Sequence, residues 1–173
     1  MDDPGFKVLP ISPDNLSLVL EVYRQCEDFL ALGPEARASL DMVKQDIAGS
    51  QQQGGLYCGL FDLSGRLMGV LDYIPAGFQG DPAQAFLELL MIARPYRGNG
   101  LEGKVVEWLE DELCHNPQLK YLLLAVQVNN PDGLRFWQRC GFTIIHGPEL
   151  QPDQTITYLM QKPFDSMEHK FNG

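Results

Sequence analysis

The sequence has few of the residues that build disulfide frameworks and metal centres. It contains 4 cysteines and 3 histidines among 173 residues. The cysteines are Cys26, Cys58, Cys114 and Cys140, and the histidines are His115, His146 and His169. The cysteines lie far apart without a Cys-x-x-Cys spacing, which predicts isolated thiols in a reducing cytoplasm. The histidines share no spacing with acidic residues, so no metal site is expected.

Long apolar runs and an excess of basic residues are also missing. No segment approaches about 18 uninterrupted apolar residues, and the opening MDDPGF does not read as a signal peptide. Asp and Glu number 23 against 13 Lys and Arg, a formal net charge of −10 at pH 7. This charge disfavours nucleic acid or an anionic membrane as the principal partner. It is compatible with a cationic or amine substrate, and equally with simple solubility.

What the sequence does contain is enough apolar material for one domain. Hydrophobic residues make up 45% of the chain, and a domain of this length buries about 70% of the surface of its unfolded chain. No internal repeat or linker interrupts it. We therefore expect a single domain over residues 1–162, followed by a loosely held C-terminal tail over residues 163–173.

Local patterns predict alternating helices and strands. The predicted strands are Phe6–Ile11, Leu56–Phe61, Arg66–Ile74, Phe86–Ala93, Tyr121–Val128, Phe142–His146 and Thr155–Met160. The predicted helices are Pro13–Leu30, Glu35–Ala48, Leu101–Leu113 and Asp132–Cys140. The second and third strands form a predicted β-hairpin across Asp62–Gly65. Loops are expected over Gly49–Gly55, Pro75–Ala83 and Gly147–Asp153. This order predicts a mixed α/β layer structure.

The stretch Phe86–Leu113 joins a buried strand, a basic turn that contains glycine, and an amphipathic helix. The first turn of a helix has unpaired N–H groups and the positive end of the helix dipole, and glycines allow phosphates to approach that backbone. The stretch therefore suggests a phosphate-binding turn. The alternative is a tight turn in which Arg94 and Arg97 are merely solvated.

Two motifs in this order resemble the GNAT superfamily of acyl-CoA-dependent N-acetyltransferases. The family turn, Arg/Gln-x-x-Gly-x-Gly/Ala, is matched from Arg97 onward, with Glu102 in place of the final small residue. Downstream, Asn130 precedes an aromatic-aromatic-x-x-x-Gly-Phe pattern that runs from Phe136 to Phe142. The resemblance covers about 56–160. It implies the GNAT fold, an α/β (α+β) architecture with a central mixed, mostly antiparallel sheet, splayed central strands and flanking helices.

The resemblance also implies acetyl-CoA as co-substrate. The residues it assigns to cofactor binding are Leu90, Met91, Ile92, Arg97, Gly98, Asn99, Gly100, Leu101, Glu102, Asn130 and Phe136. Backbone groups of the central strand would hold the pantetheine arm, and a strand amide near Met91 would polarise the acetyl carbonyl. The amides of 97–101 would take the pyrophosphate. The side chains of Arg97 and Lys104 either add charge toward phosphate or are solvated cations.

Glu88 is the candidate general base, because it is the only charged residue in the central strand. Burial there should raise its pKa toward a useful range, and several members of the family carry a carboxylate with this role on this strand. The alternative is a structural carboxylate with a local partner. Asp72 and Asp28 are further candidates for an acidic pocket.

Trp137 and Glu102 depart from the family pattern. Trp137 stands where these enzymes usually place a tyrosine that protonates the CoA thiolate, and an indole N–H cannot give up its proton. A thiolate with a pKa of about 8.5 is a tolerable leaving group, and Tyr73, Tyr96 or water could replace the acid. Trp137 could instead pack on pantetheine or fill the core. Glu102 favours the helix dipole but weakens CoA binding if it points toward the phosphates.

Two functions follow from these observations. The first is an N-acetyltransferase in which a substrate amine attacks acetyl-CoA directly, with Glu88, Met91 and Trp137 at the catalytic positions. The second is a non-catalytic acyl-CoA-binding or regulatory module, which the departures at Trp137 and Glu102 favour. The acceptor amine is not encoded in any motif. A monomer or a homodimer is expected, since exposed edge strands can pair between subunits.

Overall fold

The computed structural model of the chain describes residues 3–164. The predicted tail beyond Phe164, together with His169, lies outside the described residues. The chain divides into two compact units. The first holds the residues up to Tyr73 and Glu88–Lys104, and the second holds Ile74–Leu87 and the residues from Val105 onward.

Seven strands form a mixed sheet in the order β1-β2-β3-β4-β5-β7-β6. The strands are β1 (Phe6–Pro10), β2 (Leu56–Asp62), β3 (Leu67–Ile74), β4 (Gln84–Ile92), β5 (Tyr121–Gln127), β6 (Thr143–Leu150) and β7 (Ile156–Pro163). The helices are α1 (Leu16–Gln25), α2 (Glu27–Leu30), α3 (Leu40–Gln52), α4 (Leu101–Leu113) and α5 (Pro131–Arg139). The predicted α/β class, with a mixed and mostly antiparallel sheet, is confirmed.

In the first unit, β1, β2 and β3 form an antiparallel ladder. The predicted hairpin between β2 and β3 is present. Asp62 stabilises its turn, because one carboxylate oxygen accepts hydrogen bonds from the amides of Ser64 and Arg66. The apolar core of this unit lies between the sheet and its helices. Its buried residues are Val19, Val22, Tyr23, Cys26, Val43, Tyr57, Val70, Met91 and Ala93.

The first helical segment is broken, which the sequence did not predict. A single helix was expected over Pro13–Leu30, but a 3-10 turn occupies Pro13–Asn15 and Cys26 separates α1 from α2. Cys26 has φ −112° and ψ 21°, outside the helical region. The apolar spacing continues across this break, so periodicity alone could not locate it.

The next helix, α3, begins five residues later than expected and extends into the predicted loop. The helix was expected over Glu35–Ala48 and is observed over Leu40–Gln52. Its start is set by Ser39, whose hydroxyl accepts a hydrogen bond from the Met42 amide at 3.1 Å. A side-chain acceptor at this position satisfies one of the unpaired N–H groups of the first turn.

In the second unit, β4 pairs in parallel with β5 from Gln84 with Tyr121 to Leu87 with Leu124. Antiparallel β7 lies on the other side of β5, and β6 pairs with β7 as the final strand of the sheet order. All eight residues of β6 are exposed. This strand was expected to end at His146 but extends over most of the predicted loop, since a strand exposed on both faces shows no alternating pattern.

The last strand, β7, also runs past its predicted end at Met160. It includes Pro163, the first residue of the predicted tail. The next residue, Phe164, is buried, and its amide donates a hydrogen bond to the Lys120 carbonyl at 2.9 Å. These two residues therefore belong to the folded part of the chain. No helix within the described residues has the length and apolarity needed to cross a lipid bilayer.

Candidate active site

Glu88 lies in the first unit at the middle of β4, the strand that precedes the glycine turn. Its neighbour Leu87 is buried, whereas Glu88 is exposed. The expectation of a buried carboxylate is therefore wrong. The pKa of Glu88 is nevertheless raised, first because part of its hydration is lost and then because of the negative charges of Asp72 and Asp46. The direction of this shift suits a general base, which must hold a proton weakly near neutral pH.

Asp72, on β3, is the most buried of these carboxylates, with 5% of its surface exposed. Its Oδ1 accepts a hydrogen bond from the Ser50 hydroxyl at 2.6 Å. Burial raises the pKa of Asp72 to about 6, with a further contribution from Asp46, while the Ser50 hydrogen bond opposes the shift. Asp72 therefore changes its charge close to physiological pH.

Asp46, on α3, completes this group of carboxylates, and no sequence pattern marked it. The Tyr23 hydroxyl donates a hydrogen bond to Asp46 Oδ2 at 2.7 Å and lies 2.6 Å from the Tyr57 hydroxyl. Because Tyr23 has one hydroxyl proton, which goes to Asp46, Tyr57 is the donor in the second hydrogen bond. Burial raises the pKa of both phenols. A polar network thus connects α1, α3 and β2 within the first core.

The turn after β4 has the geometry that the motif predicted. A 3-10 turn spans Arg94–Tyr96, Arg97 is extended, and Gly98 and Gly100 have φ of 82° and 75°. These values fall in the left-handed region that favours glycine. A Cβ atom on either glycine would meet nothing within 4 Å, so both face open space. The helix α4 begins immediately afterward, and its first-turn N–H groups have no partner within the helix.

The Arg97 side chain is hydrogen-bonded within the protein and is not merely a solvated cation. Its Nε donates to the Ile92 carbonyl at 2.8 Å. Its two terminal nitrogens donate to the Asp28 carboxylate, at 2.8 and 3.2 Å, and Nη2 also donates to the Gln25 carbonyl at 3.2 Å. Asp28, a candidate for an acidic pocket, is thus the partner of Arg97. The hydrogen bonds from Arg97 lower the pKa of Asp28.

The predicted pantetheine-binding positions lie between Glu88 and this turn. Leu90 is half-buried, and Met91 and Ile92 are buried. One continuous segment of the first unit therefore carries Glu88, these three residues and the turn. Glu102 is half-buried in the first turn of α4, and Lys104 is exposed. Tyr73 is buried on β3, and Tyr96 packs against the core of the first unit.

The remaining predicted residues belong to the second unit. Asn130 precedes α5, and its Oδ1 accepts a hydrogen bond from the Gly133 amide at 3.0 Å. This is a helix cap, a role that the sequence analysis did not assign to Asn130. Trp137 is half-buried and contacts Phe136 and Phe142 edge to face, with ring centroids 4.8 and 5.5 Å away. Such pairs are typical of packed aromatic clusters.

Within residues 3–164, no group of three or more His, Cys, Asp or Glu side chains is arranged to hold a metal ion. Asp46 and Asp72 instead accept hydrogen bonds from hydroxyl groups, and Glu88 is exposed.

Comparison with known proteins identifies one family. The model of the acetyltransferase (GNAT) family matches residues 19–142, more than half of the chain. This span includes Glu88, the glycine turn and the aromatic cluster. No curated protein matches the chain.

Solved structures with the same fold cover nearly the whole chain. The spermidine N-acetyltransferase from Vibrio cholerae, in complex with CoA and spermine, has a TM-score of 0.72 and 14% sequence identity. The alignment covers 94% of this chain and 98% of that one. An acetyltransferase from Thermus thermophilus has a TM-score of 0.74 and 22% identity, with 91% and 96% covered. At these identities the likeness concerns the fold.

Proposed function

We propose a mechanism of direct acetyl transfer for this chain, which belongs to the acetyltransferase (GNAT) family and transfers the acetyl group of acetyl-CoA to an amine. In this mechanism the amine attacks the thioester directly, and Glu88 is the general base. The family suggested by the two sequence motifs is confirmed. The proposal also covers which residues bind acetyl-CoA, which residues carry out the reaction, and which amine is the acceptor.

The observation that carries the proposal is the turn between β4 and α4. Gly98 and Gly100 hold left-handed backbone, and a substituent on either would point into open space. A pyrophosphate can therefore approach the backbone at Gly98 and Gly100 without meeting a side chain of these two residues, at the positive end of the α4 dipole, and the amides of 97–101 would bind it. Backbone groups of Leu90, Met91 and Ile92 then lie just upstream on the same strand, where the pantetheine arm would continue.

The reaction needs one base and one oxyanion donor. Glu88 takes a proton from the ammonium form of the substrate, directly or through water, and its raised pKa supports this role. The neutral nitrogen forms a bond to the thioester carbon while the Met91 amide stabilises the oxyanion. As the C–S bond breaks, the nitrogen gives up its second proton to water, the amide forms, and CoA leaves as a thiolate that takes a proton from water.

Trp137 contributes through packing in this mechanism. Its ring contacts two aromatic neighbours, and its indole N–H cannot be lost near neutral pH. The thiolate of CoA leaves without a dedicated acid because its conjugate thiol has a pKa of about 8.5. The departure at this position is therefore compatible with catalysis.

The acceptor is proposed to be a small amine that is cationic in solution. Asp46, Asp72 and Glu88 provide the negative charge in the first unit, and the net charge of −10 favours the approach of cations. A structural neighbour of 14% identity was solved with spermine, so polyamines are the first amines to test. We further propose that the protein acts in the cytoplasm as a monomer or homodimer.

Thermal unfolding with acetyl-CoA tests the cofactor site. Ligand at about 100 times its dissociation constant adds roughly 2.7 kcal/mol to the folded state. In a domain of this size, this corresponds to a rise in Tm of about 5–10 °C. No rise with millimolar acetyl-CoA would contradict the proposal. A rise justifies measuring amine-dependent release of CoA thiol.

The base is tested with Glu88→Gln in the thiol-release assay. Loss of a general base lowers kcat by about 100-fold or more. In the wild type, kcat/KM should increase with pH through the raised pKa of Glu88, since the carboxylate form is active. The variant should lack this acid limb. Glu107→Gln, an exposed position on α4, is the matched control. A Glu88→Gln variant that retains half of the activity and the same pH profile would exclude this role.

A further inference from the structure

The Arg97 side chain makes contacts that the phosphate-binding motif does not explain. We propose that Arg97 is a positioning residue, which holds the pyrophosphate-binding turn in place through a latch to Asp28. The latch is defined as the Arg97 guanidinium, the Asp28 carboxylate and the carbonyls of Gln25 and Ile92. This inference rests on the proposed binding of acetyl-CoA at the turn.

Four hydrogen bonds define the latch. Arg97 donates to two carbonyl oxygens, those of Ile92 and Gln25. It also donates from both terminal nitrogens to the two oxygens of Asp28. A planar guanidinium fits a carboxylate in this bidentate way, whereas a lysine ammonium is a point charge that cannot reproduce the fork. The latch thus depends on geometry as well as on charge.

Exposure alone would make the ion pair a weak contact. The side chains of Arg97 and Asp28 are 30% and 54% exposed, and exposed pairs contribute little to folding stability. The two carbonyl contacts change this assessment. The Ile92 carbonyl, at the end of β4, also accepts from the Sγ of buried Cys26 at 3.4 Å. Cys26, which separates α1 from α2, and Arg97 therefore meet at one carbonyl oxygen at the end of β4.

The position of Arg97 in the chain connects this latch to the cofactor turn. Arg97 directly precedes Gly98, which has φ 82°. A glycine-containing turn has many accessible backbone conformations, so a side chain fixed at four points restricts the direction in which the following amides project. Preorganised donors bind an anion more tightly because less conformational freedom is lost. The expected consequence is tighter binding of the pyrophosphate.

The sign of the effect of Asp28→Asn distinguishes this role from a direct phosphate contact. If Arg97 positions the turn, Asp28→Asn weakens the latch and raises the Kd for acetyl-CoA by about 10-fold, the lower end of the scale for a lost charge-assisted hydrogen bond. If Asp28 instead keeps Arg97 away from the phosphates, the same variant frees the guanidinium and lowers the Kd. A lower or unchanged Kd would overturn the proposal.

Arg97→Lys provides a second test. The positioning role requires the fork, so the lysine variant should bind acetyl-CoA as weakly as Asp28→Asn, and the double variant should add little to either single change. Retention of wild-type affinity by Arg97→Lys would instead indicate that only positive charge is needed. Glu27→Gln removes the same charge from the same short helix and is the matched control, with an expected change in Kd below about two-fold.

The acyl donor S-acetylpantetheine separates positioning of the turn from general loss of structure. It carries the thioester but no pyrophosphate. The latch variants should therefore lose kcat/KM with acetyl-CoA, mainly through KM, and keep kcat/KM with S-acetylpantetheine. Equal losses with both donors would contradict the proposal. If the wild type itself does not bind acetyl-CoA, the proposed function fails and the latch proposal falls with it. If the wild type binds acetyl-CoA and the latch variants bind it equally well, the latch proposal alone is wrong.

Discussion

Asp72 shows how the environment of a single residue can connect stability to pH. The carboxylate is buried on β3 and accepts one hydroxyl hydrogen bond, from Ser50. One neutral donor compensates only part of the hydration that the charged form loses. Its pKa of about 6, compared with the usual 3.8, follows from this deficit. The same charge raises the pKa of Glu88, so Asp72 affects the proposed base as well.

We expect Asp72→Asn to remove a pH-dependent loss of stability. Between pH 3.8 and about 6 the folded state holds a proton on Asp72 that the unfolded chain has lost. Wild-type stability therefore falls as pH rises through this window, by roughly 3 kcal/mol from this group. The asparagine keeps an acceptor for Ser50 and never ionises. The free energy of unfolding should be measured in urea at pH 4 and pH 8. At pH 8 the variant should be about 1–3 kcal/mol more stable than the wild type, and at pH 4 this gain should be absent.

Asp62 provides the contrasting control for this measurement. Hydrogen bonds from Ser64 and Arg66 lower its pKa, so its carboxylate stabilises the fold above the unfolded pKa and loses this effect as pH falls. Asp62→Asn should therefore be less stable than the wild type at pH 8. A stability difference between Asp72→Asn and the wild type that stays the same across the whole pH range would mean that the fold does not raise the pKa of Asp72.

The glycine turn is the element on which the proposed cofactor binding depends most directly. Gly98 has φ 82° and open space beyond its Cα. We expect Gly98→Ala to cost about 1 kcal/mol of stability, because an L residue is strained in the left-handed region. The added methyl group lies where the pyrophosphate would approach the backbone. Acetyl-CoA affinity, measured by calorimetry, should therefore fall by about 10-fold or more.

Gly54→Ala is the matched control, since Gly54 has φ 73° and also meets nothing within 4 Å. It follows α3, away in sequence from the proposed cofactor turn. Both variants should lose similar stability, and only Gly98→Ala should lose affinity. Equal affinities in the two variants would contradict the approach of the pyrophosphate to the backbone at Gly98.

The elements also show what the sequence predicts well. β4, the turn at Gly98 and Gly100, and α4 were predicted from a local pattern, because a buried strand, a glycine pair and an amphipathic helix each leave a mark on adjacent residues. The break at Cys26 and the exposed end of β6 leave no such mark. Arg97 and Asp28 lie 69 residues apart, so their contact depends on the tertiary fold and could not be predicted from the motif.

At the scale of the whole molecule, one buried ion pair makes stability depend on two residues from different elements. Lys162 on β7 donates to Glu110 on α4 at 2.5 Å, and their side chains are 8% and 3% exposed. A buried pair is not strongly stabilising in itself, but removal of one partner leaves the other charge in a medium that solvates it poorly. The pair therefore makes the fold sensitive to change at either position.

We expect Lys162→Met to destabilise the protein by about 3–5 kcal/mol, which lowers the Tm by on the order of 10 °C. The double variant Glu110→Leu with Lys162→Met removes both charges and should recover most of this loss. Differential scanning calorimetry of the single and double variants tests this. A double variant as unstable as the single one would show that packing, and not the buried charge of Glu110, determines the loss of stability.

The hydrogen-bonded pair of Tyr23 and Tyr57 has a consequence for the protein in alkali. Both phenols are buried and their pKa values are raised, whereas an exposed tyrosine ionises near pH 10. The unfolded chain therefore releases two protons that the folded chain retains, and base favours unfolding. The phenolate absorbance of these two residues should appear only as the fold opens, which makes them an intrinsic optical reporter of alkaline unfolding.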